Sequence, residues 1–119
     1  MKEEKELRYM IKNQPAIKAY ISQDSIWLAT EDIARLYQTP LHLVLKYIKR
    51  IYQTDSMSEF LTMQRKRVLH QGKVQLVTFY NLQMILAIGT QIQAEETSVF
   101  YKWAVHQLKN QDEKVRSSS

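Results

Sequence analysis

The sequence predicts an α+β fold, mostly helical, with two small β-hairpins and a helix-turn-helix, winged-helix-like centre. Three observations carry that prediction. Apolar and polar residues alternate over 17–28 and again over 65–80, each time around turn-forming residues. Residues 30–52 show helical spacing with one sharp break at Gln38-Thr39-Pro40. Residues 82–110 return to helical spacing. At 119 residues the chain is the size of one domain and can bury a core without staples. The expected organisation is an N-terminal helical arm over 1–14, one domain over 15–110 and a disordered tail over 111–119.

Leu7, Met10 and Ile11 stand at helical spacing and predict a short, weakly packed helix over Glu3–Asn13, ended by Pro15. Ile17, Ala19 and Ile21 alternate with Lys18, Tyr20 and Ser22, as in a strand. Gln23-Asp24-Ser25 turns the chain and Ile26-Trp27-Leu28 extends it again. Thr30 reads as a helix N-cap, with Glu31 and Asp32 at the positive end of the helix dipole. Ile33, Ala34, Leu36 and Tyr37 give that helix its apolar side. Thr39 reads as the cap of a second helix that starts at about Pro40 and runs to about Tyr52. Leu41, Val44, Leu45, Ile48, Ile51 and Tyr52 form its apolar stripe. Residues 54–59 are polar and read as a loop, after which Phe60, Leu61 and Met63 return to the core. Gln71-Gly72 joins strands over 65–70 and 73–80 into the clearest hairpin of the chain. Asn81 caps a helix that begins at Leu82 and stops at Gly89. Glu95 and Glu96 open a last helix to about Asn110, with Val99, Phe100, Trp103, Ala104 and Leu108 buried.

Composition excludes several classes. Hydrophobic residues at 45% and charged residues at 24% are ordinary for a globular protein. The absence of cysteine removes disulfide scaffolds, cysteine–zinc sites and thiol catalysis. Apolar runs fall well short of the roughly 18 residues a membrane helix needs. The charged N-terminus lacks the apolar run of a signal peptide. A cytoplasmic, reducing setting fits, although absent cysteines fit an exported protein as well. His42, His70 and His106 have no partner at metal spacing, and neither a phosphate loop nor a nucleophile elbow is present. The expectation is a protein that is not an enzyme, with no metal, cofactor, small-molecule substrate or membrane partner.

Charge is the informative feature. Lys and Arg number 17 against 12 Asp and Glu, a net charge of +5. Between Leu36 and Tyr80 lie Lys46, Lys49, Arg50, Arg65, Lys66, Arg67 and Lys73 against Asp55 and Glu59, an excess equal to the whole net charge. His42, Lys46, Lys49 and Gln53 are separated by steps of four, three and four, so they share one face of the second helix. Helix-turn-helix spacing would let that face enter the major groove of double-stranded DNA. His42 and Lys46, nearer the helix start, are then expected at base edges, and Lys49 and Arg50 at phosphates. Arg65, Lys66, Arg67 and Lys73 would make the second hairpin a basic wing on the DNA backbone. The bland reading of the same residues is a helical hairpin and a turn with ordinary solvated charge. A function of a different class is a protein–protein interaction module whose basic surface is incidental or meets an acidic protein. Homodimerisation through the last or the N-terminal helix would suit a reader of two half-sites.

Three stretches also carry a family resemblance. Ile26-Trp27-Leu28-Ala29-Thr30 with Ile33-Ala34-Arg35-Leu36-Tyr37, Phe79-Tyr80-Asn81-Leu82 with Ile85 and Gly89, and Phe100-Tyr101-Lys102-Trp103-Ala104 with Leu108 resemble motifs of the RhuM family. That family comprises virulence-associated and prophage-borne bacterial proteins, akin to the KilA-N/Bro-type N-terminal domains of phage antirepressors. The resemblance spans roughly Ile17 to Asn110. It implies a DNA-binding-like domain of a mobile element, or an antirepressor-like partner or virulence adaptor. Members are often longer, which would make this chain an N-terminal domain. The apolar frame of the motifs is kept while polar positions depart from it at Gln83, Thr90-Gln91-Ile92, Tyr101 and Gln71.

Overall fold

A computed structural model of the chain describes residues 5–54 and 56–117, the stretch 112–117 by its backbone alone. The elements in order are β1 (Lys5–Tyr9), β2 (Ile17–Ser22), β3 (Ser25–Ala29), α1 (Thr30–Leu36), α2 (Leu41–Gln53), α3 (Glu59–Thr62), β4 (Met63–His70), β5 (Lys73–Asn81), α4 (Leu82–Ile92) and α5 (Glu96–Ser117). The fold is α+β. Its strands form one five-stranded antiparallel sheet in the order β1-β2-β3-β5-β4. This overturns the expectation of a mostly helical fold with two small hairpins and a winged-helix-like centre.

The reason is a pairing between residues far apart in sequence. Both expected hairpins form, and each closes on a two-residue turn with positive φ at both positions: Gln23 and Asp24 at 53° and 60°, Gln71 and Gly72 at 50° and 76°. That is the primed-turn geometry whose twist matches paired strands. The hairpins then join edge to edge, with Trp27 opposite Asn81, Leu28 opposite Tyr80 and Ala29 opposite Phe79.

The expected N-terminal helix is strand β1, antiparallel to β2 with Leu7 opposite Ala19 and Tyr9 opposite Ile17. Leu7, Tyr9 and Ile11, every second residue, pack against the core, whereas Met10 is exposed. Glu3 and Glu4 of that expected helix lie outside the described residues. At the other end, α5 continues to Ser117 where a disordered tail was expected from 111, and Ser118 and Ser119 lie outside the described residues.

Strand alternation sorts the sheet into two faces. Ile17, Ala19, Ile21, Ile26, Leu28 and Tyr80 face the helices and belong to the main core with Ile33, Val44, Ile48, Ile85, Ile88 and Phe100. Each fully buried aliphatic side chain of this set contributes about 1.5–3 kcal/mol. Tyr9 extends the core beneath α5, with edge-on ring contacts to Phe100 at 5.1 Å and Trp103 at 5.0 Å. On the opposite face, Trp27 and Phe79 are buried among neighbouring strands. The Phe79 ring meets Tyr20 edge-on at 5.5 Å, and the Trp27 indole N–H donates to the Ser22 carbonyl at 2.8 Å.

The helix ends depart from expectation in ways that matter for packing. Thr30 is the first residue of α1, not its cap, and its hydroxyl donates to the Thr78 carbonyl of β5 at 3.2 Å. Thr39 donates to the Tyr37 carbonyl at 3.0 Å and does not cap α2, whose N-cap is Pro40. Asn81 does cap α4, accepting from the Met84 N–H at 3.2 Å. Gly89 does not stop that helix. It lies inside it, and Gln93 takes the left-handed terminal position at φ 62°. Val99 is exposed instead of buried, because Phe100 and Ala104 point inward from α5.

Gly89 is there for space. A Cβ at this position would lie 2.6 Å from the Tyr37 hydroxyl oxygen and closer still to the Thr97 hydroxyl. The Tyr37 O–H donates to the Ile85 carbonyl at 2.6 Å, which ties the end of α1 to α4. Burial pushes this hydroxyl up to about 12 and so keeps it protonated as a donor. Helix propensity alone would make Gly89→Ala stabilising by about 1 kcal/mol. Crowding of this kind costs about 1–3 kcal/mol and should win. Urea unfolding should show a lower midpoint with an unchanged slope. A raised midpoint would contradict the close approach of α4 and α5.

Candidate nucleic-acid interface

The connection Tyr37–Pro40 joins α1 to α2. Arg35 braces α1 from outside. It pairs with Asp32 at 3.3 Å and donates to the Pro15 carbonyl, which holds α1 to the link between β1 and β2. Burial raises the Asp32 carboxyl from its ordinary value, and Arg35 opposes that rise. Val44, Ile48 and Ile51 bury one side of α2 in the core. The opposite side presents His42, Lys46, Lys49 and Arg50, all exposed.

Between α2 and the β4–β5 hairpin lies a cleft of about 430 Å³. Leu45, Lys49, Tyr52 and Gln53 form its α2 wall. Met63, Arg65 and Tyr80 form its sheet wall, and Glu59 of α3 also lines it. The Tyr52 hydroxyl lies 2.7 Å from that of Thr62. Thr62 spends its own proton on the Ser58 carbonyl at 2.7 Å, so Tyr52 is the donor. Burial raises both Tyr52 and Tyr80 above the ordinary tyrosine value, and Glu59 adds to each, so both hydroxyls stay neutral.

The predicted basic residues are therefore not all on one surface. Lys49 of α2 and Arg65 of β4 line the same cleft. Lys46 and His42 continue the Lys49 stripe along α2. Arg50 is turned about 100° round the helix from Lys49, with its guanidinium 5.9 Å from the centre of the Tyr47 ring. In the hairpin, alternation puts Arg65 and Arg67 on the face turned toward the helices and Lys66 and Lys73 on the other. Burial lowers Lys66 from its ordinary value. His70 sits opposite Lys73 at the turn.

The cleft has no local mark in the sequence. Tyr52 reads there as part of the apolar stripe of the second helix, and Glu59 as part of a loop. Phe60 and Leu61 were expected in the core, yet Phe60 is 91% exposed and Leu61 is exposed beside it. The single turn of α3 points Thr62 inward instead, fully buried. Among the described residues, no group of three or more His, Asp or Glu could hold a metal ion, and no helix is long and apolar enough to cross a membrane. Set against known proteins, the chain matches no family model, no curated protein and no solved structure.

Thr62 fixes the cleft, since its hydroxyl links α3 to α2. Thr62→Val keeps the shape and removes both hydrogen bonds, leaving the Tyr52 hydroxyl without its acceptor. The expected cost is about 1–3 kcal/mol in chemical unfolding. A loss within about 0.5 kcal/mol of zero would mean that the pair does not hold the wall in place.

Proposed function

We propose that this chain is a non-catalytic DNA-binding domain. In this reading α2 enters the major groove and the β4–β5 hairpin lies against the neighbouring backbone. The observation that carries the reading is the cleft, where Lys49 from α2 and Arg65 from β4 stand on facing walls. Two basic elements far apart in sequence thus meet on one side of the fold, as a double-stranded polyanion would require. His42 and Lys46 then face base edges, while Lys49, Arg65 and Arg67 neutralise phosphates. Arg50, Lys66 and Lys73 supply longer-range attraction from the flanks. The resemblance to the RhuM family supports a role in a bacterial mobile element or virulence-associated protein, acting in the cytoplasm.

A protein–protein role is favoured by one specific observation, the exposed pair Phe60 and Leu61 next to Glu59 in α3. The two readings separate in a titration of duplex DNA across a salt series. Under the DNA reading, affinity falls steeply with salt, by about 0.9 in log–log slope for each phosphate neutralised. The Lys46→Ala/Lys49→Ala variant should weaken binding and flatten the slope by about 1, for the phosphate that Lys49 neutralises. Glu59→Gln, which removes the carboxylate from the cleft, should tighten it. A double variant that binds as tightly as the parent, with the same slope, would overturn the assignment to α2.

A further inference from the structure

The far half of the β4–β5 hairpin stands beyond the helices. Its core-facing side is covered at Met63 and Tyr80, but farther out the same side carries Arg65, Arg67 and Leu69 opposite Thr78, Leu76 and Val74. Leu69, Val74 and Leu76 are 71%, 67% and 66% exposed. They form one contiguous patch, since Leu69 pairs with Val74 and Leu76 pairs with Arg67. From Phe60 to Ala94 the sequence holds no Asp or Glu. The hairpin is therefore an acid-free ribbon with arginines on one face, lysines on the other, and aliphatic side chains next to its turn.

We propose that the end of this hairpin is a minor-groove wedge, in which Leu69 and Val74 enter the base stack of duplex DNA. The inference rests on the DNA-binding reading above and deepens it. Three observations choose this occupant. Basic residues on both faces suit a groove, which offers a row of phosphates on each side. The cleft with Lys49 and Arg65 lies between α2 and the hairpin, so one DNA strand passing along it separates their two sites. With α2 in the major groove, the hairpin meets the minor groove across that strand. Finally, a pleated ribbon with its side chains is about 10 Å thick, whereas the minor groove is about 6 Å wide. Entry therefore requires the groove to open, and apolar side chains that part a base step do this while bending the duplex by about 20–90°. A second copy of the chain fits poorly, because the ribbon has no carboxylate to meet its own cations.

The test uses the full chain and a short A·T-rich duplex with central TA steps, which unstack easily. Energy transfer between end labels reads the bend, and 2-aminopurine at the central step reads unstacking. The parent chain should bend the duplex and brighten the probe. Leu69→Ser/Val74→Ser should abolish both signals while still binding. Its melting temperature should match the parent, since both side chains are exposed. Binding by the parent without bend or brightening would overturn the wedge and leave the DNA reading standing. No binding at low salt would overturn both. A parent dimer in sedimentation that the double variant dissolves would also overturn the wedge, by giving the patch to a second copy.

Discussion

The three paired positions between β3 and β5 decide the architecture. Trp27–Asn81, Leu28–Tyr80 and Ala29–Phe79 turn two local hairpins into one sheet. The pairing sets Leu28 and Tyr80 side by side under the helices, and Trp27 and Phe79 diagonally across the two strands on the other face. It also fixes the chain on both flanks. β3 runs straight into α1, and β5 runs straight into α4, whose cap Asn81 is the last residue of that strand. The Thr30 hydroxyl on the Thr78 carbonyl adds a further tie. With α1 and α4 both anchored to adjacent strands, α2 lies across the gap between them, and β4 becomes the sheet edge beside it. The cleft is the space this leaves.

Edge strands explain why the hairpin carries so much charge. β4 has one neighbour and an open row of backbone groups, a template for unwanted pairing. Arg65, Lys66 and Arg67 in succession guard that row by repulsion. In the proposed reading the same charges attract the polyanion. Protection of the edge and recruitment of a partner need not compete, because both require cations that water can reach. The exposed aliphatic residues at the tip have no such protective role, which is why they point to a further contact.

What the sequence made legible follows from the range of each interaction. The primed turns at Gln23-Asp24 and Gln71-Gly72, the break before Pro40 and the Asn81 cap are set within a few residues, and all could be read. So could the Val44, Ile48 and Ile51 part of the α2 stripe, whereas Leu41 and Leu45, read on the same stripe, are exposed. β1 could not, because Leu7, Met10 and Ile11 satisfy a helical period while Leu7, Tyr9 and Ile11 satisfy a strand period in the same short window. Only pairing to β2 resolves the two. The β3–β5 contact lies 50 residues and more apart in sequence and leaves no local mark. Gly89 was ambiguous for a related reason: stop signals and close helix contacts both select glycine. For the candidate site, the basic residues were visible individually. Their division between the two hairpin faces was implicit in the two-residue period, whereas the meeting of Lys49 with Arg65 depends on the sheet.

The central claim is that α2 and the hairpin form one surface for duplex DNA. It is tested most directly by following backbone amide resonances of the full chain during titration with a short duplex at low salt. The account predicts that amides at His42, Lys46 and Lys49 shift together with those at Arg65, Arg67 and Lys73, with one common binding constant. Shifts confined to the groove between α4 and α5, around Leu86, Thr90 and Tyr101, or no shifts at all, would contradict it.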